Sequence, residues 1–326
     1  MTIRLQSSSS SSIGMTSCRP PLESMRALVS GSTGFFGGFL CSALKSRGFE
    51  VHAVSHCSEA PGVERIDLTS SAAWATVLRS FRPEHVFHLS GVMYSTKLSD
   101  FALHNTAAAG ALLDAALELK PAGAVLLVGT AAEYGIVPEA ALPVVESYAA
   151  SPRMPYGASK YAQTQLALDA ARRGLRVVVA RPSNVIGPGL PVGTALGSFA
   201  RQLREIELGR AAARLSVGDL STRRDFIDVR DVVAAFIALA LHPHFTGIVN
   251  VSSAEHHSMR WLLEQLIESF ALVVSVEVDP TRLRAAEVQN FSASNALWQS
   301  LVGAQALIPL ATSLRDLVRH ERAQTA

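Results

Sequence analysis

One stretch near the amino end limits the fold more than any other. The apolar run Ala27-Leu28-Val29-Ser30 passes directly into Gly31-Ser32-Thr33-Gly34-Phe35-Phe36-Gly37, and a helical segment, Phe36–Arg47, follows at once. A strand that ends in glycines and turns straight into a helix is the opening half of a parallel crossover unit. The chain then keeps that rhythm. Strands are predicted over Arg26–Ser30, Val51–Val54, Arg65–Leu68, His85–Ser90, Ala124–Gly129 and Arg176–Ala180. Helices are predicted between them, over Phe36–Arg47, Ser71–Phe81, Phe101–Leu119 and Pro155–Arg173. The strand runs are apolar at nearly every position, as expected of a sheet covered on both faces.

After Arg181 the rhythm breaks. A loop rich in Gly187, Pro188, Gly189, Pro191 and Gly193 leads to a helical stretch ending near Leu208. Asp225–Leu241 reads as a further core helix entered through a short strand, and Met259–Phe270 as an amphipathic helix. The pattern predicts an α/β fold, a Rossmann-type doubly wound parallel sheet with a smaller, mostly C-terminal substrate lobe. The expected division is a Ser-rich disordered tail over 1–24, a dinucleotide-binding core over 25–187 to which 225–252 return, and a lobe from 188–224 and 253–326.

Composition narrows the function classes. A hydrophobic content of 48% supplies a sizeable core, and a net charge of +2 with both signs interspersed calls for neither nucleic acid nor an anionic membrane. No run of about 18 uncharged apolar residues suggests a membrane span. Cys18, Cys41 and Cys57 are too few and too scattered for a disulfide framework or a metal cluster, so reduced cytoplasmic thiols and no metal are expected. The serines Ser7–Ser12 stand among arginines and prolines without an apolar signal region. A disordered tail, or a true start at Met15 or Met25, is expected there ahead of an organellar transit peptide.

Glycines at the first turn let the backbone approach a pyrophosphate, which then rests on the positive end of the helix dipole. Gly31, Gly34 and Gly37 are spaced G-x-x-G-x-x-G, and a tight turn without ligand is the plain alternative. Asp67, closing the predicted third strand, could accept from an adenine amino group or cap the next helix, as Thr69, Ser70 or Ser71 could. An acid for the ribose 2′-hydroxyl is expected about 20 residues past the glycines. The chain reads Val54-Ser55-His56-Cys57-Ser58 there, with neither acid nor arginine. That favours NADP(H) while leaving NAD(H) possible, with His56 the residue beside the 2′-phosphate.

The chemistry rests on Tyr156-Gly157-Ala158-Ser159-Lys160, which puts a phenol and an ammonium on one helix face. The lysine charge is expected to favour the phenolate and lower the tyrosine pKa. Upstream, Leu126-Leu127-Val128-Gly129-Thr130 is a buried strand ending in a hydroxyl at the carboxyl edge of the sheet, where open α/β folds bind ligands. His88, inside a predicted strand, reads as a satisfied core histidine. Asp228, Arg230 and Asp231 read as the start of a core helix, and Tyr94 and Lys97 as candidates for the border of a ligand pocket.

Together these segments resemble the extended short-chain dehydrogenase/reductase (NAD-dependent epimerase/dehydratase) family acting on nucleotide sugars, and within it the GDP-4-keto-6-deoxy-mannose reductase branch. The matching segments are Gly31–Gly37, Val86–Gly91, Gly129-Thr130-Ala131-Ala132-Glu133-Tyr134-Gly135, Tyr156–Lys160, Arg181–Gly189 and Arg224–Val232. The resemblance implies Thr130, Tyr156 and Lys160 as catalytic residues. It extends the cofactor set to Gly31, Thr33, Gly34, Phe35, Phe36, Gly37, His56, Asp67, Leu68, Leu89, Ser90, Gly91, Tyr156 and Lys160. It implies Thr130, Tyr156, Asn184, Arg224 and Arg284 as substrate contacts, although both arginines could also be surface charges beside Asp225 and Glu287. Dehydratases of the family carry acids just after the catalytic threonine; Ala131 and Ala132 stand there instead, and Glu133 comes one place late. The family's proline after Arg284 and its tryptophan before Pro309 are also replaced.

The implied activity is NAD(P)H-dependent reduction of the C4 ketone of a 4-keto-6-deoxy nucleotide sugar, GDP-4-keto-6-deoxy-D-mannose giving GDP-D-rhamnose. A nucleotide-sugar 4-epimerase with retained NAD is the rival enzyme, and a non-catalytic dinucleotide-binding sensor the rival of another class. A homodimer through the helices Phe101–Leu119 and Pro155–Arg173 is expected, since Ala107–Ala111 permit close approach.

Overall fold

The computed structural model describes residues 25–57, 60–283 and 288–324. The Ser-rich tail, Ser58 and Arg284 therefore lie outside the described residues. The chain enters the fold on β1 (Arg26–Ser30) and α1 (Phe35–Ser46), followed by β2 (Glu50–Ser55), β3 (Val63–Arg65) and α2 (Ser71–Phe81). Next come β4 (His85–His88), α3 (Leu98–Phe101), a π-helical stretch Ala102–Ala107, α4 (Ala108–Leu119), β5 (Val125–Val128), α5 (Pro155–Arg172) and β6 (Val177–Pro182). The sheet is completed much later by β11 (Gly247–Val251).

These seven strands form one sheet in the order β11-β6-β5-β4-β1-β2-β3, and every pairing in it is parallel. The winding reverses between β1 and β4, and a crevice opens beyond the carboxyl ends of strands at such a point. Successive strand residues face opposite layers. Ala27, Val29, Leu126 and Val128 pack with Leu40 and Leu44 of α1 and with Phe236 of α7 (Val229–Leu241). Leu28, Val125 and Leu127 pack on the other side with Trp74 of α2, Leu112 of α4 and Ala167 of α5. That two-sided burial is why the strands read as continuous apolar runs. Each fully buried leucine or valine contributes about 1.5–3 kcal/mol.

The second cluster is helical. It joins Phe199 and Leu203 of α6 (Ala195–Glu207), Leu262 and Leu266 of α8 (Met259–Phe270) and Leu317 of α10 (Leu310–Ala323) to Leu215 of β8 (Arg214–Val217). Around it lie small pairings. β7 (Asn184–Ile186) runs parallel to β10 (Phe226–Asp228), and β9 (Arg223–Arg224) sits between β12 (His257–Ser258) and β14 (Asn290–Phe291). β13 (Ser275–Val278) pairs with β8. Trp298 of α9 (Ala296–Val302) packs into the cluster against the sheet, so part of the C-terminal stretch joins the core.

Local chemistry explains where elements begin. Ser70 Oγ accepts the Ala73 N–H at 3.2 Å and caps α2. Asp228 accepts the Arg230 N–H at 2.8 Å and caps α7, as its sequence position suggests. Pro155 occupies the first position of α5, where a missing N–H costs nothing. Two sequence expectations need correction. The third strand ends at Arg65, so Asp67 does not close it. Instead, Asp67 stands exposed in a turn, where Oδ1 accepts from the Thr69 N–H at 2.9 Å and the Thr69 hydroxyl at 2.7 Å. The helix expected from Phe101 begins at Leu98 and passes through the π-helical stretch before α4.

Candidate active site

The glycine turn lies at the reversal point. Gly31 has φ +73°, and a Cβ there would stand 2.8 Å from the Ser90 nitrogen, so only glycine allows β1 to pass this close to the chain leaving β4. Gly34 N–H closes the turn onto the Gly31 carbonyl at 3.0 Å. The residue before α1 caps it with no side chain, and no acid stands in its first turn. Its amino-terminal N–H groups are therefore open to an anion. Ser32 Oγ is buried without a hydrogen-bond partner among the described residues. These features suit a bound diphosphate. Thr33 and Gly34 are exposed, and Phe36 packs on Phe236 at 5.8 Å between ring centres, which anchors the start of α1 to the core. A cavity of about 500 Å³ opens beside this turn, walled by Thr33, Gly34, Phe35, Pro188 and Pro191.

Thr130 leaves β5 with extended backbone angles, and its Oγ accepts the Ala132 N–H at 3.2 Å. Tyr156 sits in the first turn of α5, with its phenol beside the Thr130 side chain. Burial pushes the Tyr156 phenol up to about 12; the neighbouring Thr130 hydroxyl opposes this, and the Glu133 charge adds to it. Lys160, one turn on, is fully buried. Burial pulls its ammonium down to about 8 against an opposing pull from Glu133.

This overturns the expected lysine-lowered tyrosine. Lys160 Nζ donates to Gln163 Oε1 at 2.8 Å, and burial governs the phenol. A phenol held in its protonated form is a proton donor.

The adenosine end differs. His56 is exposed just past β2, and its ring lies 5.3 Å from that of His104 in the π-helical stretch. Asp67 faces His56, and its carboxyl lies below the ordinary range because of its Thr69 hydrogen bonds. Leu68 is buried, its carbonyl accepting the Trp74 indole N–H at 2.9 Å. Leu89 donates to the Ser30 carbonyl at 3.1 Å, so Leu89, Ser90 and Gly91 run along the reversal point beside Gly31.

Of the substrate candidates, Asn184 is exposed on β7, with Nδ2 donating to the Asp225 carbonyl at 3.0 Å. Arg224 is half-buried on β9, and Nη1 donates to the carbonyls of Arg223 and Gln289 at 3.0 and 3.1 Å. Asp225 does not depend on Arg224: its carboxylate accepts from the Ser253 N–H at 3.1 Å and the Ser253 hydroxyl at 2.8 Å. Tyr94 is exposed and its ring lies against Gly193, which brings the segment after β4 to the Pro-rich loop. Lys97 is exposed beyond it.

His88 is only half satisfied. Nδ1 shares a 2.8 Å bond with the Ser30 hydroxyl, while Nε2 has no partner among the described residues.

Sequence reasoning missed the groups that hold this end together. Asn105 Nδ2 donates to the Val92 carbonyl at 2.9 Å and to Ser159 Oγ at 2.8 Å, tying the segment after β4 to α5. Gln163 Nε2 donates to the Val128 carbonyl at 3.0 Å. Glu133, placed on the wrong side of the turn for chemistry, is buried against Arg181 at 2.7 Å. An asparagine inside an alanine-rich helix and charges flanked by apolar runs were the available signals.

A doubly wound sheet with a glycine turn, a hydroxyl past a strand end and a helix carrying a half-buried Tyr156 and a buried Lys160 defines a nucleotide-dependent oxidoreductase class. Residues 27–252 match the NAD dependent epimerase/dehydratase family, and the chain belongs to that family. It is 33% identical to GDP-6-deoxy-D-mannose reductase of Pseudomonas aeruginosa, over 90% of this chain and 96% of that one. The solved structure of RMD from Pseudomonas aeruginosa complexed with NADPH superposes with a TM-score of 0.81 at 30% identity, covering 92% of this chain and 98% of that one. UDP-glucose 4-epimerase of Thermus thermophilus in complex with NAD superposes with a TM-score of 0.80 at 27% identity, covering 92% and 100%.

Proposed function

We propose that this chain is an NAD(P)H-dependent oxidoreductase that reduces the C4 ketone of a 4-keto-6-deoxy nucleotide sugar, converting GDP-4-keto-6-deoxy-D-mannose to GDP-D-rhamnose with NADPH favoured and NADH usable. The observation that carries the reading is the placement of Thr130 beside a protonated Tyr156, one helical turn from Lys160, in a chain 33% identical to a GDP-6-deoxy-D-mannose reductase. Bound NADPH supplies the hydride. Tyr156 donates its proton to the oxygen of the reacting ketone, and Thr130 hydrogen-bonds the same oxygen. Lys160 holds the nicotinamide ribose. Dehydration finds no support: Ala131 and Ala132 carry no proton, and Glu133 is engaged inside the core.

Asn184, Arg224 and Arg284 are assigned to the substrate diphosphate. The substrate lobe is assigned to 188–224 and 253–326, apart from α9. No helix among the described residues is long and apolar enough to cross a membrane. A cytoplasmic homodimer is proposed, with α4 and α5 meeting their copies. Leu103, 45% exposed, and Leu166, 40% exposed, are apolar side chains left for such an interface.

The test is incubation with GDP-4-keto-6-deoxy-D-mannose and with the dTDP analogue, following NADPH absorbance. Turnover of the GDP compound with loss of NADPH is expected. Interconversion of a UDP-sugar by protein that retains NAD through purification would favour the 4-epimerase instead. Turnover of either kind disposes of a non-catalytic sensor.

A further inference from the structure

A charged carboxylate with no exposed surface lies directly beneath the candidate catalytic turn. Glu133 is 0% exposed and Arg181 is 2% exposed, so both ions have left water, which is costly for each. The carboxylate is fully engaged. Oε1 accepts the Thr130 N–H at 3.0 Å, and Oε2 accepts the Thr164 hydroxyl at 2.8 Å and Arg181 Nε and Nη2 at 3.0 and 2.7 Å. The guanidinium in turn lies 4.7 Å from the centre of the Tyr134 ring. Gly129 makes the placement possible, since a Cβ there would stand 2.7 Å from Oε1. Stability alone is a poor account of such a pair, because well-packed apolar residues often replace one at no loss.

The division between the two oxygens points to another role. Oε1 holds the backbone of Thr130, two residues past β5. Oε2 holds Thr164, which stands two turns along α5 from Tyr156. One carboxylate therefore joins the two segments that carry the Thr130 and Tyr156 hydroxyls. Building on the ketone-reductase reading, we infer that Glu133, anchored by Arg181, is a positioning residue that clamps the Thr130 turn to α5 and so sets the Thr130–Tyr156 hydroxyl pair in register for proton transfer. A misplacement of about 1 Å between reacting groups can cost 10²-fold in rate. The charge acts in the same direction as the clamp. Of the titratable groups facing it, Tyr156 and Lys160 from α5 are both raised by the Glu133 charge, and Arg181 from β6 neutralises it.

The decisive variant is the double substitution Glu133→Leu with Arg181→Met, which leaves no buried charge unpaired. Thermal stability and NADPH affinity are expected to stay near those of the unaltered protein. Turnover should fall by roughly 10–100-fold with KM changed far less. Hydrogen exchange over 129–135 and 155–166, measured without substrate, should show protection lost at the turn.

Thr164→Val keeps the ion pair and cuts only the α5 arm. It should lower kcat by about threefold to tenfold, the loss of one hydrogen bond, at unchanged NADPH affinity. Native turnover in the double variant would overturn the inference. If that variant fails to fold, native turnover in Thr164→Val overturns it equally. Absence of turnover in the unaltered chain would reject the reductase reading instead, and the exchange data would still decide whether the clamp exists.

Discussion

The two ends of the crevice are built on opposite principles. At the Tyr156 end, polar groups are buried and bonded in series: Lys160 to Gln163 to the Val128 carbonyl, and Asn105 to Ser159. At the His56 end, His56 and Asp67 lie at the surface; Asp67 accepts from Thr69 within its own turn, and the His56 ring meets that of the half-buried His104. Under the proposed reductase function the contrast has a reason. Proton transfer from Tyr156 would demand a fixed geometry within tenths of an ångström, which neighbours locked in place supply. Choosing between two cofactors that differ by one phosphate would need only charge, which acts over distance and through water.

The largest expected effect falls on the buried end. Tyr156→Phe removes the proton donor and almost no volume, so kcat should drop by roughly 10²–10⁴-fold while NADPH affinity stays within about twofold. Near-normal turnover would break the assignment of Tyr156. Lys160→Met comes next. It removes the buried ammonium at a site that prefers low charge, so the fold should persist. Both kcat and NADPH affinity should weaken, kcat by roughly 10²-fold, because one donor is lost to ribose and to the electrostatics of the site. Single-turnover kinetics and fluorescence titration separate the two losses.

Legibility followed the same divide. The sheet was readable because strands covered on both faces are apolar throughout, and because the Gly31 turn admits little else. The placement of Thr130 just past a strand end, and of Tyr156 and Lys160 one turn apart on a helix, was readable because both are local patterns. Their supports were not, since Glu133 and Arg181 meet across 48 residues, Asn105 and Ser159 across 54. No local pattern encodes such a meeting. The lobe was least readable of all. β9, β12 and β14 are two residues each, too short for a period of two to declare itself, and they pair only because the chain returns three times to one place. Asp67 was misplaced because the apolar run continues past Arg65 while the strand does not.

Behind the buried end stands a measurable acid sensitivity. Burial holds His88 near pKa 3, with Lys160 adding to the effect, and His85 near pKa 4, with Arg176 adding to it. The unfolded chain binds these protons below about 6.5, whereas the folded chain binds them only near 3 and 4. Between those values the unfolded state carries more protons. The contribution of both histidines is therefore complete above about pH 6.5 and is lost as pH falls toward 4. At pH 5 the loss is about 2 kcal/mol for each, which should lower Tm measurably relative to pH 7. His88→Gln should roughly halve that pH-dependent loss. A Tm that is flat from pH 7 to pH 5 would show that the core admits water to these rings.

The exposed end should respond to charge and little else, and by smaller amounts. His56→Asp places a carboxylate where a ribose 2′-hydroxyl is normally bound, and should shift the kcat/KM ratio of NADPH to NADH about tenfold toward NADH. The smallest effect is the response of cofactor choice to a single surface charge. His56 and His104 face each other, with Asp67 the carboxylate that His56 meets. Asp67→Asn removes the negative charge that His56 meets, so preference for NADPH should rise by roughly twofold to fivefold, the size of an exposed charge contact. The gain should shrink in high salt, as a surface interaction must. A preference for NADPH that is unmoved by both Asp67→Asn and salt would show instead that a fixed, uncharged contact at the end of β2 reads the phosphate.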